Sequence, residues 1–249
     1  MQQTASASSA CPPAELDQAM AVIRIAGYDL LADLAGALFW PEERMIIVAD
    51  MHLEKGSFYA ARGQMLPPYD SAVTLASLTR IIARYRPARL VALGDSFHDT
   101  RACERMGEDC QEVLRTLAKN VEMVWITGNH DPEIPSMLPG TRLHELAVGS
   151  LMLRHEPMAR AHVLASRYGE IAGHLHPAAR IVTDRGRTRR KSFVSDTTRI
   201  VMPAFGAFTG GLNLLDPAIR LLFERDAFEA HVCGKTRIYT IAPDKLRPD

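Results

Sequence analysis

The tetrapeptide Gly128-Asn129-His130-Asp131 sets an amide oxygen, an imidazole and a carboxylate side by side at the end of an apolar run over 123–127. An amide oxygen is a hard metal ligand, an imidazole can donate a proton at neutral pH, and a carboxylate can orient it. Three further apolar runs end in the same chemistry. Residues 45–49 lead into Asp50-Met51-His52, 89–93 into Gly94-Asp95-Ser96-Phe97-His98, and 170–172 into Gly173-His174-Leu175-His176. With His155, these motifs offer carboxylates, an amide and imidazoles but no thiolate. That donor set suits manganese, iron or zinc, not copper(I) or an iron–sulfur cluster. Asp50, His52, Asp95, Asn129, His155, His174 and His176 are too many for one tetrahedral zinc. They suit two divalent ions about 3.5–4 Å apart, as in enzymes of in-line displacement at phosphorus, with Asp95 able to bridge them.

The elements that must position these groups follow from the pattern between them. The runs 45–49, 89–93 and 123–127 read as strands, and each motif falls at a strand's carboxyl end. Between the first two strands, 54–69 contains Gly56, Gly63 and Pro67-Pro68 and is expected to be a long loop beside the first motif. Asp70 is the expected N-cap of a helix reaching Arg84, stopped by Pro87. A helix over 103–119 presents Cys103, Met106, Cys110, Val113, Leu114 and Leu117 on one apolar face, which makes both cysteines core side chains. Strand–helix–strand alternation implies parallel strands, with ligands bound beyond their carboxyl ends. Short strands are also expected at 21–26 and 37–40 before the first motif. After Leu143 the texture changes to strands at 146–148, 151–154, 171–172, 179–183 and 199–202, which predicts a second, mixed sheet. Two facing sheets flanked by helices make a four-layer α/β/β/α sandwich, with residues 21–249 as a single domain.

Composition narrows the function classes. At 249 residues and 47% hydrophobic the chain can bury a large core. Zero formal charge supplies no global attraction to nucleic acid or membrane, so such contacts need a local patch. Arg185, Arg187, Arg189, Arg190 and Lys191 form one around Gly186, expected in a loop or hairpin tip near the metals. Within it, Arg187, Arg189 and Arg190 are candidate contacts to a phosphate backbone. Four scattered cysteines indicate reduced thiols, and no apolar stretch spans a bilayer. Residues 1–20, rich in Ser, Ala, Thr and Pro, read as a disordered tail without a secretory signal, so a cytoplasmic location is expected. His144, His162 and His231 lie outside any motif and are read as structural.

Asp50-x-His52, Gly94-Asp95, Gly128-Asn129-His130-Asp131, His155 and Gly173-His174-x-His176 together resemble the signature of the calcineurin-like metallophosphoesterases, over about 45–177. The resemblance implies a first ion on Asp50, His52, Asp95 and His176, and a second on Asp95, Asn129, His155 and His174. It further implies His130 as proton donor to the leaving oxygen, oriented by Asp131. One departure is Arg154-His155-Glu156, where the family commonly has His-Gly. The wording around the motifs, including the glycine-rich run over 203–213, is similar to the PdeM family of bacterial ligase-associated DNA-damage-response endonucleases. That similarity implies a manganese-activated phosphodiesterase encoded with a DNA ligase and a helicase, with DNA ahead of RNA as substrate. Gly-Asp-x-Phe-His also resembles a motif of a double-strand-break repair nuclease, making His98 a candidate for handling the substrate phosphate. Two alternatives stay open: a small-molecule phosphodiesterase or nucleotide-sugar pyrophosphohydrolase of the same superfamily, and a non-catalytic partner of a ligase or helicase.

Overall fold

Continuous apolar runs become inner strands, because a strand covered on both faces has no polar side to show. The computed structural model describes residues 19–64, 66–183, 186–225 and 227–249. Most of the expected tail, Cys11 within it, and Arg185 of the basic cluster lie outside these residues. The first sheet holds β1 (Met20–Ile25), β2 (Tyr28–Asp33), β3 (Leu38–Trp40), β4 (Met45–Val48), β5 (Arg89–Leu93), β6 (Glu122–Ile126) and β7 (Thr141–Leu143), in that order across it. The first four pair antiparallel and β4 to β7 pair parallel. Between β4 and β5 run α1 (Lys55–Ala60) and α2 (Asp70–Tyr85); between β5 and β6 run α3 (Ala102–Arg105) and α4 (Glu108–Ala118).

The second sheet is mixed, as its texture predicts. It contains β8 (Glu145–Val148) and β9 (Leu151–Arg154), then, after α5 (Arg160–Ala165), β10 (Gly169–Ala172), the hairpin β11 (Ala178–Thr183) and β12 (Gly186–Ser195), and β13 (Arg199–Val201). After α6 (Pro217–Arg220), β14 (Glu229–Cys233) and β15 (Ile238–Ile241) complete it. The order is β15-β14-β12-β13-β10-β9-β8, with β11 on the first half of β12.

Alternation along the strands sorts the core into layers. Ile46, Val48, Leu90 and Ala92 face α2 and α4, packing on Leu75, Leu78, Leu114 and Leu117. Ile47, Val91 and Val124 face the other way, against Leu153, Ile171, Phe193 and Ile200 of the second sheet. The outer face of that sheet is closed by Leu214, Ile219, Leu222 and Phe223, around the single turn of α6. The result is the expected four-layer α/β/β/α sandwich, with a thin fourth layer.

Four local expectations change. The expected loop over 54–69 carries α1. The helix expected over 103–119 breaks where Met106 is extended and Gly107 caps α4, although Cys103 stays buried and Cys110 half-buried as proposed. Asp70 is not an N-cap: Tyr69 holds that place, and the Asp70 carboxylate instead accepts from Gly56 N at 3.0 Å, tying α1 to α2. Of the basic cluster, Gly186 to Lys191 lie along β12 of a hairpin and pair residue for residue with β11, so Arg187, Arg189, Arg190 and Lys191 stand on a strand and not at its tip.

Candidate metal centre

Each candidate ligand lies just beyond a strand, where the chain must turn off the sheet. Asp50, His52, Asp95, His174 and His176 all adopt left-handed backbone conformations, with φ between 44° and 69°. Such conformations cost non-glycine residues about 1–3 kcal/mol each and persist where the surroundings over-determine them. Here the ends of both sheets over-determine them. His52 N donates to Asp95 O at 2.9 Å, and His174 N donates to the Asp50 carboxylate at 2.9 Å. At Gly128 a Cβ would lie 2.3 Å from Asp95 N, so only glycine lets the third motif approach the second.

Asp131 makes that approach permanent. Its carboxylate accepts from Asp95 N and Gly128 N at 2.9 Å, from Ser96 N at 2.7 Å and from Phe97 N at 3.2 Å. This corrects its expected task. The group that orients His130 is the His98 carbonyl, which accepts from His130 Nδ1 at 3.0 Å. With Nδ1 committed, Nε2 is the His130 nitrogen left for chemistry, and the residue is exposed.

The ligands fall into two groups on either side of Asp95. In the first, His52 Nε2 lies 3.3 Å from His176 Nε2, which lies 3.2 Å from Asp50 Oδ1. In the second, His155 Nε2 lies 2.9 Å from Asn129 Oδ1, 3.1 Å from His174 Nδ1 and 3.5 Å from Asp95 Oδ1. The other Asp95 oxygen, Oδ2, faces the first group at 3.8 Å from His52 Nε2. One carboxylate thus turns an oxygen to each cluster, the disposition of a bridging ligand. His155 joins its group despite its unusual neighbours, with Nδ1 donating to Leu93 O at 2.9 Å.

The residues fit a pair of divalent ions. Asp50 Oδ1 is buried without a well-formed hydrogen bond, and the ligand atoms of Asp50, His52 and His176 lie within 4.8 Å of one another, as do those of Asp95, His155 and His174. A cation satisfies those donors where water has little room. Burial, reinforced by the charges of neighbouring imidazoles, pushes His52 down to about 2, so it stays neutral and able to ligate. Burial and His155 lower His174 as well. At His176 burial also lowers the pKa, but the Asp50 carboxylate outweighs it and the net shift is upward.

His98 packs into the same wall. Its ring stacks on His130 at 5.3 Å between centroids and meets Phe58 of α1 edge-on at 4.5 Å. Burial, then Lys55 and His130, lower it to about 4. Two residues escaped the motif reading: Glu170 and Arg199, both buried, whose side chains pair at 2.9 Å. Glu170 also accepts from Met158 N at 3.0 Å, while Arg199 donates to Met158 O at 2.7 Å. Together they clamp the segment that follows His155. Nothing in their spacing announces this, because the pair forms only when β13 docks on β10.

The basic residues separate. Arg189, Arg190 and Lys191 line a groove of about 650 Å3 that reaches His176, with Arg80 of α2 across from them and residues 204–211 as its floor. No carboxylate is among the lining residues. Arg187 is exposed and outside that lining. His144 and His162 are exposed, and His231 is buried between Ser195 and Thr240 hydroxyls at 2.9 Å each, so none joins the metal groups. Burial raises the Cys103 thiol to about 11 and Cys233 to about 12, which leaves both unreactive. No described helix is long and apolar enough to cross a membrane.

The sequence profile of the calcineurin-like phosphoesterases matches residues 43–232, a span containing every one of these ligands. The chain belongs to that family. It is a metal-dependent phosphodiester hydrolase of a family that uses two metal ions, and its Asp and His side chains form the candidate groups for them. Among solved structures, the Pseudomonas putida nuclease MPE is 30% identical, with a TM-score of 0.69 over 89% of this chain and 100% of that one. The E. coli phosphoesterase Yfce is 15% identical over 80% of this chain and 98% of its own, with a TM-score of 0.38. No curated protein matches the chain.

Proposed function

We propose that this phosphoesterase cleaves phosphodiester bonds within nucleic acid, DNA ahead of RNA, with manganese as its working ion. The observation that carries the reading is Asp95, one oxygen turned to each ligand group, beneath an exposed His130 whose Nδ1 is already fixed. The likeness to a nuclease and the carboxylate-free cationic groove support a nucleic-acid substrate. Two divalent ions held by these residues would polarise the phosphoryl group and lower the pKa of water enough for attack at neutral pH.

The chain's own groups do the rest. Asp50, His52, Asp95 and His176 would hold one ion, and Asp95, Asn129, His155 and His174 the other. His130 presents Nε2 to protonate the leaving oxygen. His98 keeps it there through its carbonyl and its stacked ring, which assigns His98 a positioning role beside any contact with phosphate. Asp131 holds the second and third motifs in register. Arg189 and Arg190 meet the phosphate backbone along the groove, and Arg187 reaches it only farther along β12. The similarity in wording around the motifs extends the reading to residues 21–249 working as one unit in cytoplasmic DNA repair, alongside a DNA ligase and a helicase. The deciding experiment is hydrolysis of a generic phosphodiester, a monoester, and single- and double-stranded oligonucleotides, with and without manganese. Turnover of the diester with no oligonucleotide cleavage would remove nucleic acid as substrate.

A further inference from the structure

We infer that the groove beside His176 is a second phosphate subsite, one that receives the nucleotide flanking the scissile bond. The inference rests on the nucleic-acid reading and makes it specific. The groove brings Arg80, Arg189, Arg190 and Lys191 together without a carboxylate in its lining, so cations outnumber anions along it although the chain as a whole is neutral and Asp249 pairs with Arg189 from outside that lining. Two of these cations already have partners. Lys191 Nζ donates to Ala35 O at 2.6 Å, and Arg189 donates to Gly211 O and pairs with Asp249 at 3.3 Å. Arg190 is different: half-buried on β12, it pairs through its backbone with Ala179 and accepts from the Ser192 hydroxyl at 3.1 Å, but its guanidinium makes no hydrogen bond or ion pair among the described residues. Arg80 spends only its Nε, on Ala76 O of its own helix at 3.2 Å. Arg80 and Arg190 therefore both line the groove with guanidinium donors to spare, and planar forks of donors match phosphate.

The groove also offers a place for a base. Val73, in its wall, is 48% exposed, and Phe208, between the lining residues Ala207 and Thr209, is 39% exposed. Cationic tracks with exposed aromatic and apolar side chains at their rim bind nucleotides through phosphate and base together. A volume of about 650 Å3 accommodates one nucleotide. The groove is continuous with the chemistry, because its floor carries Gly210 O, which accepts from Nδ1 of the ligand His176 at 3.2 Å. A strand lying in the groove enters the metal centre beside that ligand.

The test compares a short oligonucleotide with bis(p-nitrophenyl) phosphate, which has no flanking phosphate, using manganese-loaded full-length protein. For Arg190→Ala, KM for the oligonucleotide should rise about tenfold, since a hydrogen bond to a charged group is lost. The ratio of kcat/KM for oligonucleotide over small diester should fall by the same factor. The salt dependence of oligonucleotide KM should lose about 0.7 of slope, one contact on a single strand, and Arg190→Lys should restore most of it. Arg80→Ala should act in the same direction. Phe208→Ala should raise oligonucleotide KM with the salt slope unchanged, because it removes a base contact and no charge. Equal losses on both substrates would place Arg190 in the metal centre and overturn the subsite, and so would an unchanged KM and slope. If wild type cleaves the oligonucleotide and the variants match it, the subsite alone fails. If wild type cleaves only the small diester, the nucleic-acid reading fails and the subsite with it.

Discussion

Asp95 and Arg190 belong to one continuous site, yet the fold secures them in different ways. Asp95 is 2% exposed, in a left-handed turn that Asp131 holds through backbone amides of two loops. Arg190 stands half-buried on a strand, its guanidinium free of partners among the described residues. The difference follows from what each must do. Ligands for a metal pair must hold their lone pairs at fixed positions, so local strain of about 1–3 kcal/mol per residue is tolerable in exchange for rigidity. Cations that meet a flexible polyanion need reach and hydration, and a rigid buried guanidinium would cost more in desolvation than the phosphate returns. Chemistry is thus kept inside and recognition at the rim.

The sharpest way to break that comparison is at Asp95. Because its oxygens face both ligand groups, Asp95→Ala should abolish turnover and also remove the rise in melting temperature that added manganese produces in wild type. Saturation at 100 times the dissociation constant stabilises by about 2.7 kcal/mol, so the shift is measurable by calorimetry without any assay of activity. His155→Ala should retain part of that shift, since His155 serves one group only. Equal thermal responses in the two variants would remove the bridging role. Next in size is His130. As general acid it is worth about 10²–10⁴ in rate, but only where the leaving oxygen needs a proton. His130→Ala should therefore be severe on an oligonucleotide, whose leaving group is an alkoxide, and milder on a nitrophenyl diester. Equal losses would instead assign it to positioning.

How much of each region could be read beforehand differs for the same physical reason. The ligands were legible because each lies within a few residues of an apolar run, and a parallel strand buried on both faces is written as such a run. Asp131 shows the limit: its type and place were plain, but its partners are amides of Ser96 and Phe97, 35 and 34 residues away. The groove was less legible still. Arg187 to Lys191 are poor strand formers by composition, and only pairing with β11 makes them a strand. The groove takes in Arg189, Arg190 and Lys191 while Arg187 stays outside, a distinction that charge clustering alone does not contain. α1 was hidden because six residues beginning Lys-Gly carry too little periodicity to outvote the flanking Gly63 and prolines.

A smaller effect probes the seam between the two regions. A Cβ on Gly211 would lie 2.0 Å from His176 O, so Gly211→Ala must push the floor of the groove away from the ligand's backbone. Overpacking of this kind costs about 1–3 kcal/mol. The variant should melt lower and lose both small-diester and oligonucleotide turnover, coupling what Arg190→Ala separates. A wild-type melting temperature with normal activity would mean that floor and metal centre move independently.

The smallest effect concerns the two arginines nearest Arg190. Arg187, exposed and outside the groove, reaches only phosphates farther along β12, so its alanine variant should match wild type on a short oligonucleotide and lose salt slope only on a longer one. Arg189 is subtler, because its guanidinium is shared between Gly211 O and the Asp249 carboxylate. Both partners of that ion pair are well exposed, at 41% and 49%, and such pairs are worth about 0–1 kcal/mol in water. A phosphate in the groove can therefore displace Asp249 at little cost. Asp249→Asn removes the competitor while leaving Arg189 in place, so it should lower oligonucleotide KM by up to about fivefold at low salt, with the gain vanishing at high salt. A weakened KM in Asp249→Asn would show the opposite: that Asp249 holds Arg189 in the posture the substrate needs, and that this part of the rim is preorganised like the metal centre.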